Sequence, residues 1–464
     1  MAIGDPNLFF NRDTKVFAVQ ATAFGASTYN VWELPVLGGY SFKQSTNSSQ
    51  VTLKEMASAT GNSRRGQAAF NDSLAPAEWS FDMYARPTLA TVVRAPEEIL
   101  WHSLFSETLF NAASGQTTGI SISSWAFSTT TITLTVASHP FSVGDTITVS
   151  GLTATTNAPN GTFTVTGVTN TTVVYTNTAA PTGTPAGTGI LTTATFATNA
   201  SQLDFFATAS NKTKLATFDL YFVLGANKFI SGGGTNGNFT ADEKTTIYKV
   251  AGCCVNEATV NFEIDGITTV SWSGMGLAIT ELASINFTGA PYTLIQNGVT
   301  STTNMIRNRL TALNVVGISP TSKTYSLTLT GGSITIGNNI NFLTPETLGV
   351  VNQPLGHVVG TRSVSGTFTC YLDELTNGSI DLYQDMLGAT TAVTNKFQLQ
   401  FFVGGKGAGG TSPASPGIMF DMGQCHLEVP SVNIDDVIGM EVNFTALPTT
   451  IGSTDELTKI RYVA

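Results

Sequence analysis

Histidines are the first residues of this sequence whose type could support catalysis or metal binding. No H-x-x-x-H, H-E-x-x-H or G-x-S-x-G motif occurs, and the four histidines are scattered: His102, His139, His357 and His426. This pattern favours structural or solvated histidines over metal ligands or catalytic bases. We therefore expect no metal site, no cofactor and no catalytic residues.

Two further stretches resemble functional motifs only superficially. Asp435 and Asp436 are adjacent, and neighbouring side chains of a strand point to opposite faces, so the pair cannot flank one glycosidic bond. The stretch VGGKGAGG, from Val403 to Gly410, lacks the spacing of a phosphate-binding loop and precedes no helix. A hairpin loop is the favoured interpretation, and the sequence predicts that the chain is not an enzyme.

Composition favours a large β protein. The 464 residues exceed one ordinary core, which suggests two or three domains. Abundant β-branched residues and 28 Phe favour half-buried strands. The net charge of −10 argues against a nucleic-acid-binding protein, because such proteins neutralise phosphates with Lys and Arg. It is compatible with a surface past which nucleic acid slides.

Cysteine usage and hydropathy favour a cytoplasmic protein. Cys253, Cys254, Cys370 and Cys425 form no C-x-x-C motif, so reduced, mostly buried thiols are expected. The start MAIGDPNLFF has no basic region leading into an apolar one, so we expect no export signal. No apolar run reaches the roughly 20 residues that span a bilayer, so we expect no membrane insertion.

An internal duplication is the most informative feature. Six segment pairs recur in the same order, and the last pair opens at Cys254 and Cys425. The pairs are KVFAVQ with RLTALNV, PVLGGYSF with LTGGSITI, EWSFDMYA with SGTFTCYL, PEEILWHSLF with GSIDLYQDML, FDLYFVLG with FQLQFFVG, and CVNEATVNFEIDGITTVSW with CHLEVPSVNIDDVIGMEVNF. The sequence therefore predicts two copies of one domain.

Five of the six pairs predict strands, and one predicts a helix. Most segments alternate apolar and polar residues, as strands with one buried face do. PEEILWHSLF has helical spacing, with Pro96, Glu97 and Glu98 suited to a first turn. In GSIDLYQDML, Ser379 suits the N-cap and the following Gly388 suits the C-terminal cap.

The first copy is interrupted by an insertion. Trp101 and Phe218 are 117 residues apart, whereas their equivalents Tyr383 and Phe397 are 14 apart, which leaves 103 extra residues. We predict the first copy at residues 1–117 and 195–295, an inserted module at 118–194, and the second copy at 296–464.

The inserted module is almost uncharged. Asp145 is the only charged residue between Thr108 and Leu203. TITLTV, DTITVS and GTFTVTG alternate strictly, which predicts a small all-β unit. Surface connections accept insertions at low cost. We expect a decoration on the outer surface, with its two ends close together.

The two copies resemble tail tube proteins of long-tailed, non-contractile phages, the type with two fused tube domains per chain. The stretches that carry this resemblance span roughly residues 8–118 and 195–464. They are RRGQAAFNDSLAPAEWSFDMYARP, PEEILWHSLF, VNFEIDGITTVSWSGMG, LTGGSITIGNNINFLTPETLG and GSIDLYQDML. The inserted module is a departure from this family.

The resemblance implies a fold and a function. The fold is mainly β: two duplicated antiparallel β-sandwich or barrel domains, each with one flanking helix, plus a small inserted β domain. The chain would form trimeric, pseudo-hexameric rings that stack into a tube conducting DNA into the host. Partners would be a tape measure protein in the lumen, tail terminator and tail-tip proteins, and passing DNA without tight binding. The tube would assemble in the host cytoplasm and reside in the virion tail.

The resemblance also implies contacts between rings. Two long loops occupy equivalent places in the two copies, and loops of this length are usually functional. The candidate inter-ring residues are Arg64, Arg65, Phe70, Asn71, Asp72, Leu348, Asn352 and His357.

Two other classes of function fit parts of the sequence. A β-rich adhesin or carbohydrate-binding protein would suit the Thr-rich module, but an export signal or a disulfide framework would be needed to favour it, and the sequence indicates neither. A β-fold hydrolase would need a catalytic pair, which the sequence does not offer.

Overall fold

The described part of the chain is mainly β and contains two α-helices, and the mainly β fold was predicted. A computed structural model describes residues 13–22, 26–51, 68–89, 92–106, 109–110, 120–136, 146–169, 171–193, 196–198, 202–205, 215–225, 237–241, 245–296, 304–319, 322–345, 347–348, 351–388, 396–407, 412–434, 436–448 and 455–464. Neither helix in these ranges is long and apolar enough to cross a membrane.

Up to the end of the insertion, the described residues form eight strands, a helix and six more strands. The first group is β1 (Thr14–Ala21), β2 (Tyr29–Leu34), β3 (Ser41–Lys43), β4 (Thr46–Val51), β5 (Ala68–Leu74), β6 (Ala77–Tyr84), β7 (Thr88–Leu89), β8 (Val93–Arg94) and α1 (Glu98–Phe105). The inserted strands are β9 (Ile120–Ser128), β10 (Thr131–Val136), β11 (Thr146–Ser150), β12 (Gly161–Thr169), β13 (Thr172–Thr176) and β14 (Ile190–Thr193).

The remaining elements complete the first copy and build the second. The chain continues with β15 (Phe196–Thr198), β16 (Leu203–Phe205), β17 (Phe218–Leu224), β18 (Asn238–Thr240), β19 (Thr246–Glu263), β20 (Thr269–Gly276), β21 (Ile279–Leu282), β22 (Ser284–Asn286) and β23 (Tyr292–Gln296). After a 3-10 turn (Asn308–Leu310) come β24 (Ala312–Ser319), β25 (Thr324–Ser326), β26 (Leu329–Gly337), β27 (Asn341–Leu343), β28 (Gly356–Val358), β29 (Ser363–Tyr371), α2 (Ser379–Gly388), β30 (Lys396–Val403), β31 (Gly417–Leu427), β32 (Ser431–Asn433), β33 (Gly439–Ala446) and β34 (Lys459–Val463).

Strand pairing repeats between the two copies. In the first copy, the antiparallel pairs are β1–β17, β17–β19, β19–β20, β20–β6 and β6–β3. In the second, β24–β30, β30–β31, β31–β33, β33–β29 and β29–β26 pair in the same way. The duplication seen in the sequence is therefore a duplication of hydrogen-bonding topology.

The register corrects one detail of the sequence alignment. Phe218 lies opposite Cys253, and its equivalent Phe397 lies opposite Cys425, each just before a β-bulge. Cys253, not Cys254, is thus the counterpart of Cys425. The bulge adds a residue to the strand, and the side chains on both sides of it must stay on the same face of the sheet. All four cysteines are free and buried, as expected.

Helix α1 lies at the junction of the two copies and has all eight residues buried. It begins at Glu98, two residues after Pro96. The indole N–H of Trp101 donates to the Tyr462 hydroxyl at 2.7 Å, so the helix of the first copy is bonded to the last strand of the second. In α2 only Ser379, Leu382 and Met386 are buried, so α2 lies largely at the surface.

A short segment after the insertion also crosses between copies. Strand β16 pairs with β34 of the second copy, although the sequence assigned residues 195–295 to the first. Its Asp204 accepts two hydrogen bonds from the Arg461 guanidinium, at 2.7 and 2.8 Å. Asp204 is almost wholly buried, so this two-point ion pair stabilises the pairing of β16 with β34.

The inserted strands form a closed barrel in the order β10-β13-β12-β11-β14-β9. Its core, which includes Leu134 and Tyr175, is separate from the main core. The entry strand β9 and the exit strand β14 pair directly, with Ile120 opposite Leu191. The first and last strands of the barrel are therefore neighbours; the predicted ends of the module, residues 118 and 194, lie outside the described residues. Asp145 lies outside the described residues.

Candidate functional site: the polar face of a shared sheet

One continuous sheet joins the two copies. Its strands run β3-β6-β20-β19-β26-β29-β33, with β32 and the end of β31 together forming an eighth strand along β33. The joint is the antiparallel pair β19–β26, which extends from Glu257 opposite Gly337 to Glu263 opposite Gly331. The second half of β19 thus pairs with β20 of the first copy on one side and with β26 of the second copy on the other.

One face of this shared sheet is apolar and faces the core. Strict alternation places Trp79 and Phe81 of β6 on this face, with Val260 of β19 and Phe444 of β33. Phe262 packs on Phe401 of the second copy with ring centroids 5.4 Å apart. The core contains residues of both copies, which holds them in one body.

The opposite face, which we call the polar face, is rich in hydroxyl groups. Hydroxyls meet across neighbouring strands: Ser41 and Ser80 are 2.9 Å apart, and Thr259 and Thr335 are 3.1 Å apart. The Thr330 hydroxyl donates to Thr369 at 2.8 Å. Short side chains that bond to one another leave a low-relief surface with few groups free to grip a ligand.

The charge of the polar face is negative. Along the eight strands it carries one amine, Lys43, and five carboxylates, on Glu78, Asp82, Glu257, Glu263 and Glu441. Lys43 is bound to Glu78 at 2.9 Å, so its charge is offset locally. A polyanion would meet repulsion on this face rather than the basic groups that hold phosphates.

Both edges of the shared sheet are open in the described part of the chain. Strand β3 pairs with β6 on one side only, and β32 pairs with β33 on one side only. Open edges present rows of backbone donors and acceptors that are templates for pairing with another chain. Sequence reasoning did not identify these edge residues, although the similarity of the tripeptides TVN (259–261) and SVN (431–433) was a signal for the edge strand β32.

The structure brings the two predicted loop regions together. Strands β4 and β5 form one hairpin, β27 and β28 form another, and Ser73 bridges Asn352 between them. The Asn352 N–H donates to the Asp72 carbonyl at 3.2 Å, and the Leu74 N–H donates to the Asn352 carbonyl at 2.9 Å. The equivalent hairpins of the two copies thus lie side by side.

The candidate inter-ring residues in these hairpins differ in orientation. Phe70 and Leu348 are strongly exposed, and Asn71 and Asp72 are exposed as well.

The other candidates are engaged within the chain or lie outside the described residues. His357 accepts a hydrogen bond from the Leu215 N–H at 2.9 Å, and the Asn352 side chain accepts one from Thr347. Arg64 and Arg65 lie outside the described residues. The inter-ring role of all these residues remains a prediction.

The described histidines show no common site. His102 is fully buried in α1, which lowers its pKa to about 3 and keeps it neutral. His426 is exposed on β31, opposite Thr445. Within the described ranges no cluster of His, Cys, Asp and Glu could hold a metal ion. His139, Asp435 and residues 408–411 of the glycine-rich loop lie outside these ranges.

The chain is similar to proteins of known role. A family model described as "Phage tail tube protein" matches residues 229–446, which include the joint between the two copies. Tail tube protein pb6 of Escherichia phage T5 is 27 % identical over 457 residues, which cover 96 % of this chain and 74 % of pb6. These similarities and the duplicated β fold identify the chain as a structural protein related to phage tail tube proteins.

Proposed function

We propose that three copies of this chain close into a pseudo-hexameric ring, and that rings stack into a hollow tube that conducts DNA into the host. The observation that supports this function most directly is the shared sheet, with two open edges and one acidic face. Ring closure would pair the edges, and the acidic face would line the channel.

The joint inside the chain provides a template for the joint between chains. Asn261 of β19 lies opposite Ser333 of β26. By strand pairing, Asn433 of β32 is the equivalent of Asn261, and Ser41 of β3 is the equivalent of Ser333. Repeating the same antiparallel contact places Asn433 of one chain opposite Ser41 of the next. Closed rings arise when such a head-to-tail contact returns to its start.

The acidic, hydroxyl-rich face suits a channel for DNA. Binding of DNA draws on Lys and Arg contacts that release counterions, and this face carries a single, paired lysine. Carboxylates distributed over β6, β19 and β33 would keep phosphates away from the wall.

The remaining partners follow from the tail tube similarity. The lumen would hold a tape measure protein during assembly, and the ends of the tube would contact tail terminator and tail-tip proteins. Assembly in the host cytoplasm would precede incorporation into the virion tail.

Cysteine cross-linking tests the ring joint at one residue pair. Cα atoms of directly opposite residues in an antiparallel pair are about 4.5–5.5 Å apart, within disulfide range. The double variant Ser41→Cys/Asn433→Cys is therefore expected to give covalent species of two and three chains, and none larger, under mild oxidation. Gel electrophoresis without reductant measures the products, and negative-stain imaging should show threefold rings or tubes.

A one-residue shift provides the matched control. In Ser41→Cys/Val432→Cys the two thiols belong to opposite faces of the joined sheet, so little cross-linking is expected. The ring joint is refuted if both pairs cross-link equally or if covalent ladders extend past three chains. A protein that stays monomeric at high concentration in every salt condition would contradict the tube function itself.

A further inference from the structure

We propose that successive rings stack through an apolar contact between surfaces at opposite ends of the shared sheet. One partner is the hairpin patch: Phe70, Leu343, Leu348, Val351, Leu355 and Val358. The other is the end pocket of the next copy: Ile267, Met305, Arg307, Leu310, Ala414 and Pro416. This inference rests on the proposed function and specifies the surfaces that would build the tube.

The hairpin patch is a set of large apolar side chains in water. Leu348 is fully exposed, Leu355 is 74 % exposed and Phe70 is 62 % exposed. The two hairpins that carry them are adjacent through the Ser73–Asn352 bridge. Monomeric proteins rarely expose contiguous apolar patches of this kind, and such patches mark interaction sites.

Hydrogen bonds hold the hairpin patch in this outward conformation. The Thr347 N–H donates to the Asn352 side chain at 2.8 Å, and the Leu355 N–H donates to the Leu343 carbonyl at 2.9 Å. These polar groups are thus bonded inside the chain, while Leu348 and Leu355 are exposed. A patch that is ordered before binding loses less entropy when a partner covers it.

The end pocket matches the hairpin patch in chemistry. It is a cavity of about 770 Å³, lined mainly by apolar groups together with Arg307. Among the described residues of β4, β5, β27, β28 and the loop between β27 and β28, the one charged side chain is Asp72. Arg307 is the one charged residue that lines the pocket, so the two surfaces carry opposite charges.

The patch and the pocket lie at opposite ends of the shared sheet. The pocket lies beside the β19–β20 turn, which contributes Ile267 to its lining. In this turn the Gly266 carbonyl accepts a hydrogen bond from the Asn308 N–H, beyond the end of β19 that faces Gly331. The patch follows Gly337 at the other end of β26, about 20 Å away at the usual rise per residue.

A patch cannot reach the pocket of its own chain, so the contact must be heterologous. Such contacts propagate into open filaments when the symmetry does not close them. A second copy, displaced along the strands, is therefore the occupant that the geometry supports.

Two single substitutions test the contact from its two sides. Leu348→Ser and Leu310→Ser both alter exposed side chains, so folding, checked by circular dichroism, should be retained. Each variant should still form rings but should need at least about a tenfold higher protein concentration for tube growth, since each loses the burial of one leucine. Leu375→Ser is the control. Leu375 is 62 % exposed, close to the 58 % of Leu310, but it belongs to neither surface.

Mixing preformed rings of the two variants tests the polarity of the contact. Leu348→Ser rings keep a pocket and Leu310→Ser rings keep a patch, so one intact contact can form between them. The expected product is pairs of rings without longer tubes, seen by negative stain. Tubes of normal length from either variant alone, or the same loss in Leu375→Ser, would refute the proposed contact. A wild-type chain that forms no rings would refute the tube function instead.

Discussion

Replacing Glu97 with glutamine is expected to leave stability nearly unchanged at pH 4 and to raise the free energy of unfolding by about 3 kcal/mol at pH 8. Glu97 is completely buried, and burial raises the pKa of its carboxyl to about 7 from an ordinary 4.5. Below pH 4.5 this carboxyl is neutral in both the folded and the unfolded chain. Between pH 4.5 and 7 the unfolded wild type ionises this carboxyl while the folded wild type keeps it protonated, so the wild type loses stability that the glutamine variant retains.

Glutamine is a close structural match for the neutral carboxyl. The Tyr462 hydroxyl donates to Glu97 Oε1 at 2.8 Å, and the backbone N–H of Arg86 donates to the same oxygen at 3.2 Å. The amide oxygen of glutamine can accept both bonds, so the contact between α1 and β34 is preserved. The substitution therefore isolates the cost of charge burial from the cost of a lost hydrogen bond.

Urea unfolding of the unassembled chain at pH 4, 6 and 8 measures this effect. Glu78→Gln is the control, because Glu78 is exposed and its ion pair with Lys43 lies at the surface. The control should change stability by less than about 1 kcal/mol at every pH. An equal gain for Glu97→Gln at all three pH values, or no gain at pH 8, would contradict an ionisation that opposes folding.

Much of the fold could be predicted because burial on one face sets the period of a strand. Alternation in β6 and β33 places Trp79 and Phe444 inward, and the repeated order of such segments predicted the duplicated pairing. The insertion was evident because the second copy supplies the uninterrupted reference. These features are encoded in side-chain patterns that are local in the sequence.

The contacts between copies could not be predicted in the same way. Strand β16 is three residues long and all three are buried, so it shows no alternation. Its Asp204 is a charged residue in a buried position, stabilised by Arg461, which lies 257 residues away. The β19–β26 joint depends on which strand edges pair through their backbones, and side-chain patterns do not specify this pairing.

The orientation of the loop side chains could not be predicted from the sequence either. Loop length predicted that Leu348, Asn352 and His357 belong to one functional region. It could not distinguish the outward leucine from the inward amide and imidazole, because the usual rule of apolar inside and polar outside is reversed there. Only the tertiary partners, such as the Leu215 N–H that bonds His357, determine the orientation.

Deleting residues 118–194 and joining the ends with a short Gly/Ser linker is expected to leave ring and tube formation intact. The barrel has its own core, so its removal opens no cavity in the main core. Its entry and exit strands are direct neighbours, with Ile120 opposite Leu191, so a short linker can span the gap. The second copy already forms the same strand pairs without any insertion.

Negative-stain imaging should then show a tube of smaller outer diameter and unchanged channel, because three barrels per ring would have been removed from the outer wall. A longer deletion, residues 118–205, is the matched control. It also removes Asp204 and Phe205, which leaves Arg461 without its buried carboxylate and uncovers one edge of β34. Losing one partner of a buried ion pair costs about 3–5 kcal/mol, so this variant should fold poorly. If the shorter deletion widens the channel at constant outer diameter, the barrel lies in the lumen and its placement outside is wrong.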